Sequence, residues 1–435
     1  MAVRNLEPAA GGGRAVRLVL SGYYGFGNSG DEAVLLAILQ ALDEAGRSRG
    51  LRIEPVVLSA DPAWTERQYG VEAAPRMRPA AVWRALRGAD GLVSGGGSLL
   101  QDATGLGSIP YYLGVIEAAL RLGKPAFVYA QGIGPVRRRF FRPVIARTFN
   151  RCAYVSVRDD ESAEALKEYG VHPDRIEVVP DPVMGLSDGG AETVPAGKDG
   201  RTAEGRAGID GHMAAPRAEA DGAEPALVGV SVRFWRDDRA DLDRVADALA
   251  ALARMRPVRY RFLPMHRGSD EEASRYVMDR LGRLLQGGTP DGSPATDAPP
   301  AAMPAQGVLG FAPLSVRGIP GLELAPAHDD PREMLREAGA CRLLVGMRLH
   351  ALIYAANRRV PMLGISYDPK IDRFLAGIGQ SPAGTTEKLE PRRFAREAAK
   401  LLEDPDGWRR AAEPAIGRLA EAATRPAQQI AAYFV

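Results

Sequence analysis

An alternation constrains this chain more than anything else in it. Short, continuous apolar runs recur, several of them closed by a glycine-bearing turn and most followed by an amphipathic stretch. In the first half the runs are 15–20 (AVRLVL), 53–58 (IEPVVL), 91–94 (GLVS), 126–130 (AFVYA), 153–157 (AYVSV) and 176–179 (IEVV). In the second half they are 227–232 (LVGVSV), 258–263 (VRYRFL), 343–345 and 362–365. Helical spacing of apolar residues fills 32–45, 111–122, 241–255, 270–286 and 331–338 between them. Strands that are apolar on both faces and alternate with helices belong to parallel sheets covered on both sides. The expected fold class is therefore α/β, with two doubly wound halves and a cleft between them. In such sheets ligands sit outside the carboxyl ends of the strands, so residues just after each run are the candidates for function.

Composition fits two such halves. At roughly 100–200 residues per domain, 435 residues suffice for an N-terminal domain over 1–186 and a C-terminal domain over 227–405. Residues 406–435 read as a packing helix. Gly and Pro number 49 and 33, well above an average near 12% of the chain. Many lie in 187–225 and 287–306, stretches with almost no large apolar side chain. These are expected to be flexible, the first as a linker over 187–226 and the second as an insertion. The 56 basic and 54 acidic residues leave a net charge of +2, which argues against a nucleic-acid groove. Cys152 and Cys341, the only cysteines, build no disulfide framework and suit a reducing compartment. No run approaches the roughly 18 apolar residues of a membrane span, and the N-terminus lacks a signal-peptide core. The expected location is cytoplasmic.

The remaining glycines follow strands. SGYYGFGNSGDE at 21–32 lies between an apolar run and a helix. Gly27 and Gly30 let backbone approach a ligand, Asn28 and Asp31 supply polar groups, and the helix start offers free N–H groups to an anion. No Gly-Lys-Ser/Thr follows, so this is not a nucleotide P-loop. SGGGSLLQD at 94–102 places Gly96, Gln101 and Asp102 at a second strand end, the two polar side chains being suited to sugar hydroxyls. QGIGP at 131–135 places Gln131 at a third. Arg158 leaves a strand in VSVRDDES. VGMRLH puts Arg348 and His350 at a helix start, where a cation opposes the dipole unless an anion is bound. YDPK puts Lys370 after the next strand. Arg233 and His266 are further strand-end candidates. No His/Cys/Asp cluster has metal-ligand spacing, so no metal is implied.

Taken in this order, SGYYGFGNSGDE, SGGGSLLQD, QGIGP, VSVRDDES, VGMRLH and YDPK resemble the polysaccharide pyruvyl transferase family, in particular its CsaB-type cell-wall ketal-pyruvyltransferases. The resemblance runs from about Val16 to Phe374. It implies a GT-B-like fold, two Rossmann-like domains facing across a cleft. It implies phosphoenolpyruvate as donor substrate, no further cofactor, and transfer of its pyruvyl unit to two hydroxyls of one sugar as a cyclic ketal. The implied acceptor is a lipid-linked amino-sugar oligosaccharide, with N-acetylmannosamine as the modified residue, whose polymer anchors S-layer proteins. The family's donor-handling positions correspond to Arg158, Arg348, His350 and Lys370. His350 is then the candidate acid for the donor methylene and Asp31 the candidate base. The two glycine- and proline-rich stretches are longer than this pattern needs. A peripheral membrane contact through the RRRFF segment, Arg137 to Phe141, would suit a lipid-linked acceptor. Two other readings share the cleft: a glycosyltransferase using a nucleotide-sugar, and a non-catalytic binder of anionic metabolites or polysaccharide.

Overall fold

The computed structural model describes residues 13–102, 107–187, 224–286 and 321–435. Seven parallel strands form the N-terminal sheet: β1 (Arg14–Ser21), β2 (Leu51–Ser59), β3 (Glu72–Pro75), β4 (Gly91–Gly95), β5 (Ala126–Gln131), β6 (Tyr154–Val157) and β7 (Ile176–Val178). The helices α1 (Ser29–Arg47), α2 (Pro62–Tyr69), α3 (Pro79–Arg87), α4 (Ser108–Arg121), α5 (Phe141–Phe149) and α6 (Asp160–Tyr169) connect successive strands. The C-terminal sheet has six: β8 (Ala226–Ser231), β9 (Val258–Phe262), β10 (Leu322–Leu324), β11 (Leu343–Gly346), β12 (Met362–Ser366) and β13 (Gly384–Thr385). Between them run α7 (Ala240–Met255), α8 (Ser269–Leu285), α9 (Pro331–Ala340), α10 (Leu349–Asn357) and α11 (Pro369–Gly377), followed by α12 (Pro391–Glu403) and α13 (Pro405–Tyr433).

All ten apolar runs form strands. Three further strands carried too weak a signal. β3 reads EAAP at the sheet edge, β10 has three residues and β13 two. An edge strand pairs on one side only, so it tolerates Pro75 and an exposed Glu72. The stretches 187–225 and 287–306 lie almost wholly outside the described residues.

The order is β3-β2-β1-β4-β5-β6-β7 in one sheet and β10-β9-β8-β11-β12-β13 in the other. Each order reverses at a switch point, between β1 and β4 and between β8 and β11. Ser21 pairs with Ser94 and Ser231 with Gly346 at the carboxyl ends there. The crevice of a doubly wound sheet opens at that edge.

The halves share one core. α1 from the first and α10 from the second meet at a buried seam, where Tyr354 Oη donates to Ser29 O at 2.9 Å. Ser29 N donates to Met265 O at 3.1 Å. α13 returns to the N-terminal sheet and packs on α1, burying Ile416, Ala427, Ile430 and Phe434 with Val34, Ile38 and Phe127. Among the described residues no helix is long and apolar enough to cross a membrane.

Candidate active site

The β1–α1 loop forms one lip of the cleft. Gly25 and Gly27 take left-handed φ of 79° and 68°, and a Cβ on Gly25 would lie 2.2 Å from Ser59 Oγ. Only glycine makes that turn without strain. The loop is clamped on both sides. Tyr24 Oη donates to Gly95 O at 2.7 Å, and Gly25 N donates to Glu32 Oε1 at 2.8 Å. Asn28 caps α1 by accepting from Gly30 N at 3.1 Å. Two neighbouring carboxyls follow. Burial and Glu32 push Asp31 up to about 7, with Arg158 and Arg348 pulling the other way. Burial also lifts Glu32 to about 7, against hydrogen bonds from Tyr69 and Gly25. Glu32 is fully buried and holds the loop. Asp31 accepts no hydrogen bond among the described residues and faces the cleft.

β4 ends in a second turn, Gly96 and Gly97, with φ of 76° and 70°. A Cβ on Gly96 would stand 1.9 Å from Val34 Cγ1, so α1 rests directly on this backbone. Ser98 Oγ accepts from Arg158 Nη2 at 2.7 Å. Arg158 comes off β6 and lies across Gly132, where a Cβ would be 2.7 Å from its Nε. Asp159 and Asp181 stand 3.7 and 3.9 Å from the guanidinium. Those distances leave ion pairs without direct hydrogen bonds.

The opposite lip belongs to the C-terminal sheet. Arg348 is the N-cap of α10 and His350 lies in its first turn. Asp270, fully buried at the start of α8, accepts from Arg348 Nε at 2.8 Å and Nη2 at 2.5 Å. It also accepts from Met265 N and His266 N at 3.2 and 3.0 Å. A bidentate pair with a carboxylate so fixed locks the guanidinium in one orientation. The His350 ring sits where Gly30 lacks a side chain; a Cβ there would be 2.2 Å from Nδ1. Its Nε2 is 3.7 Å from Asp181 Oδ2. Burial holds this imidazole below its usual range. Asp181 opposes that, while Arg158, Lys370 and Arg348 reinforce it. Lys370 Nζ pairs with Asp368 Oδ2 at 3.2 Å. Arg233 Nη1 donates to Tyr367 Oη at 3.1 Å.

These groups converge on one cavity of about 500 Å³, lined by Asn28, Gly30, Asp31, Gln101, Arg158, Arg233, Arg348, His350 and Lys370. The remaining sequence candidates stand outside its lining. Gly27 and Gly96 shape the turns behind it. Asp102 is buried, and its two oxygens accept from Arg137 N and Arg138 N, each at 2.8 Å. It braces the loop after β5. Gln131 is buried at the end of β5, its amide atoms unpartnered among the described residues. His266 sits on the seam, bridging its backbone to Asn28.

Sequence reasoning missed three members. Asp181 joins Arg158 to His350, yet in sequence it is one acid between Pro180 and Pro182. Asp270 reads as an ordinary helix-start charge. Ser98, which fixes Arg158, passes as part of a glycine turn. The only available signal was a lone acid or hydroxyl beside a strand end.

Chemically, the cavity is built for a small polyanion. Four cationic side chains and the starts of α1 and α10 face it, and one half-buried carboxyl near 7 and one imidazole are placed to move protons.

No curated protein matches the chain. Several solved structures share its fold at low identity. A putative UDP-N-acetylglucosamine 2-epimerase from Listeria monocytogenes aligns over 96% of this chain and 94% of its own, at 12% identity and a TM-score of 0.53. The UDP-GlcNAc 2-epimerase of Neisseria meningitidis, bound to UDP-GlcNAc, aligns over 96% and 99%, at 9% identity and 0.55. Anabaena HepE, in complex with UDP and glucose, aligns over 96% and 98%, at 13% identity and 0.54. This likeness makes the fold GT-B-like, two Rossmann-like domains across a cleft. The description "Polysaccharide pyruvyl transferase" matches residues 28–369, a span that begins at the α1 cap, takes in Asp31, Arg158, Asp181, Asp270, Arg348 and His350, and covers most of the molecule; the chain belongs to the polysaccharide pyruvyl transferase family.

Proposed function

We propose that the protein is a ketal-pyruvyltransferase of the CsaB type. It takes phosphoenolpyruvate as donor and an N-acetylmannosamine residue of a lipid-linked cell-wall precursor as acceptor. The observation that carries this is the convergence of Arg158, Arg348, Lys370 and His350 on one cavity, within a chain of this family. Phosphoenolpyruvate brings a phosphate of about −1.5 to −2 and a carboxylate of −1. Three cations match that charge, two of them with planar forks suited to either anion.

His350 gives a proton to the donor methylene, which becomes a methyl group, and C2 gains cationic character. One sugar hydroxyl bonds to C2 as Asp31 takes its proton. The C2–O bond to phosphorus breaks, and phosphate leaves toward Arg158 and Lys370. The second hydroxyl then bonds to C2 and closes the ketal, its proton returning to His350, while the proton held by Asp31 passes to the released phosphate. Burial first, and then the three cations, hold the His350 imidazole below its usual range. A bound trianion offsets them, so the imidazole gains its proton as the donor arrives. Asp31, near 7, suits a base at neutral pH.

A lipid-linked acceptor would bring the protein to the inner face of the cytoplasmic membrane. Phe140 is 63% exposed beside the exposed Arg137, Arg138 and Arg139, which supports a peripheral contact with anionic headgroups. The test is incubation with phosphoenolpyruvate and lipid-linked disaccharides ending in N-acetylmannosamine or N-acetylglucosamine, read as phosphate release and acceptor mass gain. Release without mass gain, or neither, refutes the assignment. Because solved neighbours of this fold hold UDP-sugars, thermal shifts with phosphoenolpyruvate and with UDP-sugars complete the test. Stabilisation by the UDP-sugar alone would favour glycosyl transfer.

A further inference from the structure

Each lip of the cavity carries an aromatic pair with at least one exposed ring, backed by an arginine. On the N-terminal lip, Tyr23 and Phe26 are 41% and 43% exposed. Their rings stack at 4.0 Å and 8°. Arg76 lies behind them, its guanidinium 5.1 Å from the Phe26 centroid and 6.0 Å from that of Tyr23. Arg76 is only 7% exposed and donates to Gly22 O and Tyr112 Oη at 2.7 and 3.1 Å. It has no carboxylate partner among the described residues. Rings of Tyr111 and Tyr112 complete its surroundings at 4.6 and 5.4 Å.

The C-terminal lip repeats the plan. Trp235, 51% exposed, packs against Tyr367 at 4.6 Å. Arg233 stands 5.8 and 5.3 Å from the two rings. Tyr23, Tyr367 and Arg233 all line the cavity.

Single exposed aromatics are ordinary. Two aromatic pairs on opposite rims of one site, one stacked and one tilted at 45°, each with a guanidinium against its rings, are a different matter. The N-terminal pair rides on the loop clamped by Tyr24 and Glu32, so it is presented rigidly. Rigid aromatic faces bind with little loss of conformational entropy. Their natural complement is a ring with one C–H face and a polar edge, which is a pyranose. The anionic donor is accounted for by Arg158, Arg348 and Lys370, and neither aromatic pair adds to that work.

Resting on the proposed pyruvyl transfer, we infer that these two pairs form the acceptor subsite, on which sugar rings of the saccharide stack at the cavity mouth. Phe26 and Trp235 are the outer contacts and set how much acceptor beyond the modified sugar is recognised.

The test uses the full chain and the disaccharide N-acetylmannosaminyl-N-acetylglucosamine as probe. Phe26→Ala, Trp235→Ala and the double variant are compared with Phe26→Tyr and Trp235→Phe. Calorimetric titration gives affinity without turnover, and steady-state assays give acceptor and donor KM. Each lost ring is expected to weaken disaccharide binding about tenfold. Donor affinity and Tm should stay near wild type, and the aromatic replacements should restore binding. Unchanged disaccharide affinity in the double variant overturns the inference, and so does a wild type that binds no disaccharide. If binding depends on the rings but no phosphate is released, the subsite stands and pyruvyl transfer falls. If transfer proceeds with unaltered acceptor KM in the double variant, the reverse holds.

Discussion

Gly30 offers a sharp test because two physical effects oppose each other there. It lies in the first turn of α1, and Gly→Ala in a helix is worth up to about 1 kcal/mol in stability. Yet a Cβ at this position would stand 2.2 Å from Nδ1 of His350 and 2.7 Å from both Cγ and Cε1. Ordinary carbon contacts begin near 3.5 Å, so the ring must retreat by roughly 1 Å. Overpacking of that kind costs about 1–3 kcal/mol. The helix gain offsets part of it, and the net change in Tm should be a few degrees at most, at about 2–4 °C per kcal/mol for units of this size. Catalysis has no such offset. Displacing an acid by about 1 Å from its target costs on the order of 10²-fold, and the ring also leaves its place beside Asp181. Gly30→Ala should therefore fold, bind phosphoenolpyruvate and lose about 10²-fold in kcat, measured as phosphate release. Gly114→Ala is the control, since the exposed Gly114 in α4 has nothing within 4 Å of the added carbon. It should retain full kcat with an equal or higher Tm. Gly30→Ala turning over within about threefold of wild type would refute both the acid role of His350 and the reason given for this glycine.

Four further outcomes follow from the same geometry. His350→Ala should lower kcat by about 10²–10⁴, and near-normal turnover would remove it from the chemistry. Asp181→Asn removes the main charge raising the imidazole pKa, so the alkaline limb of kcat/KM should move to lower pH; an unmoved limb would mean the two do not interact. Asp31 is raised from its usual range to about 7, so the folded chain holds an extra proton between roughly pH 4 and 7. The stability this contributes is complete below pH 4 and lost as pH rises through 7. Asp31→Asn should flatten the fall in Tm between about pH 4 and 7, leaving the part due to Glu32. Asp270→Asn leaves Arg348 without its fixed counter-charge. Breaking a buried pair costs about 3–5 kcal/mol, so Tm should drop by several degrees and the donor KM rise about tenfold or more; a donor KM at wild-type level would show that Arg348 needs no such bracing.

The fold was legible because its signal is local. Every strand of four or more buried residues announces itself by composition, and glycines mark the turns after β1, β4 and β5. β3, β10 and β13 escaped because two to four residues at or near an edge bury too little to leave a pattern. The site was legible in part for the same reason. Strand-end residues must face the crevice, which is why Arg158, Arg348, His350 and Lys370 surfaced together. What stayed hidden was pairing across long separations. Asp270 meets Arg348 only after the two halves of a sheet close, and nothing near Asp102 in sequence indicates that the Arg137 and Arg138 amides will claim it. The state of His350 was hidden too. An imidazole in isolation titrates near working pH, but burial and three cations take it lower, and those are properties of the assembled cavity.

The path of α13 has a consequence for how the molecule comes into being. Its residues leave the ribosome after those of both sheets, yet Ile416, Ala427, Ile430 and Phe434 fill the core beneath α1, and Phe434 O accepts from Arg14 Nη1 at 3.1 Å, joining the two ends of the described chain. The N-terminal half is thus completed by a segment made after the C-terminal sheet. Until then it carries an open apolar face through the synthesis of the whole second half. A nascent chain halted after α12 would have both sheets and no finished N-terminal core, and it would depend on a chaperone or on speed to reach the state in which the cleft exists at all.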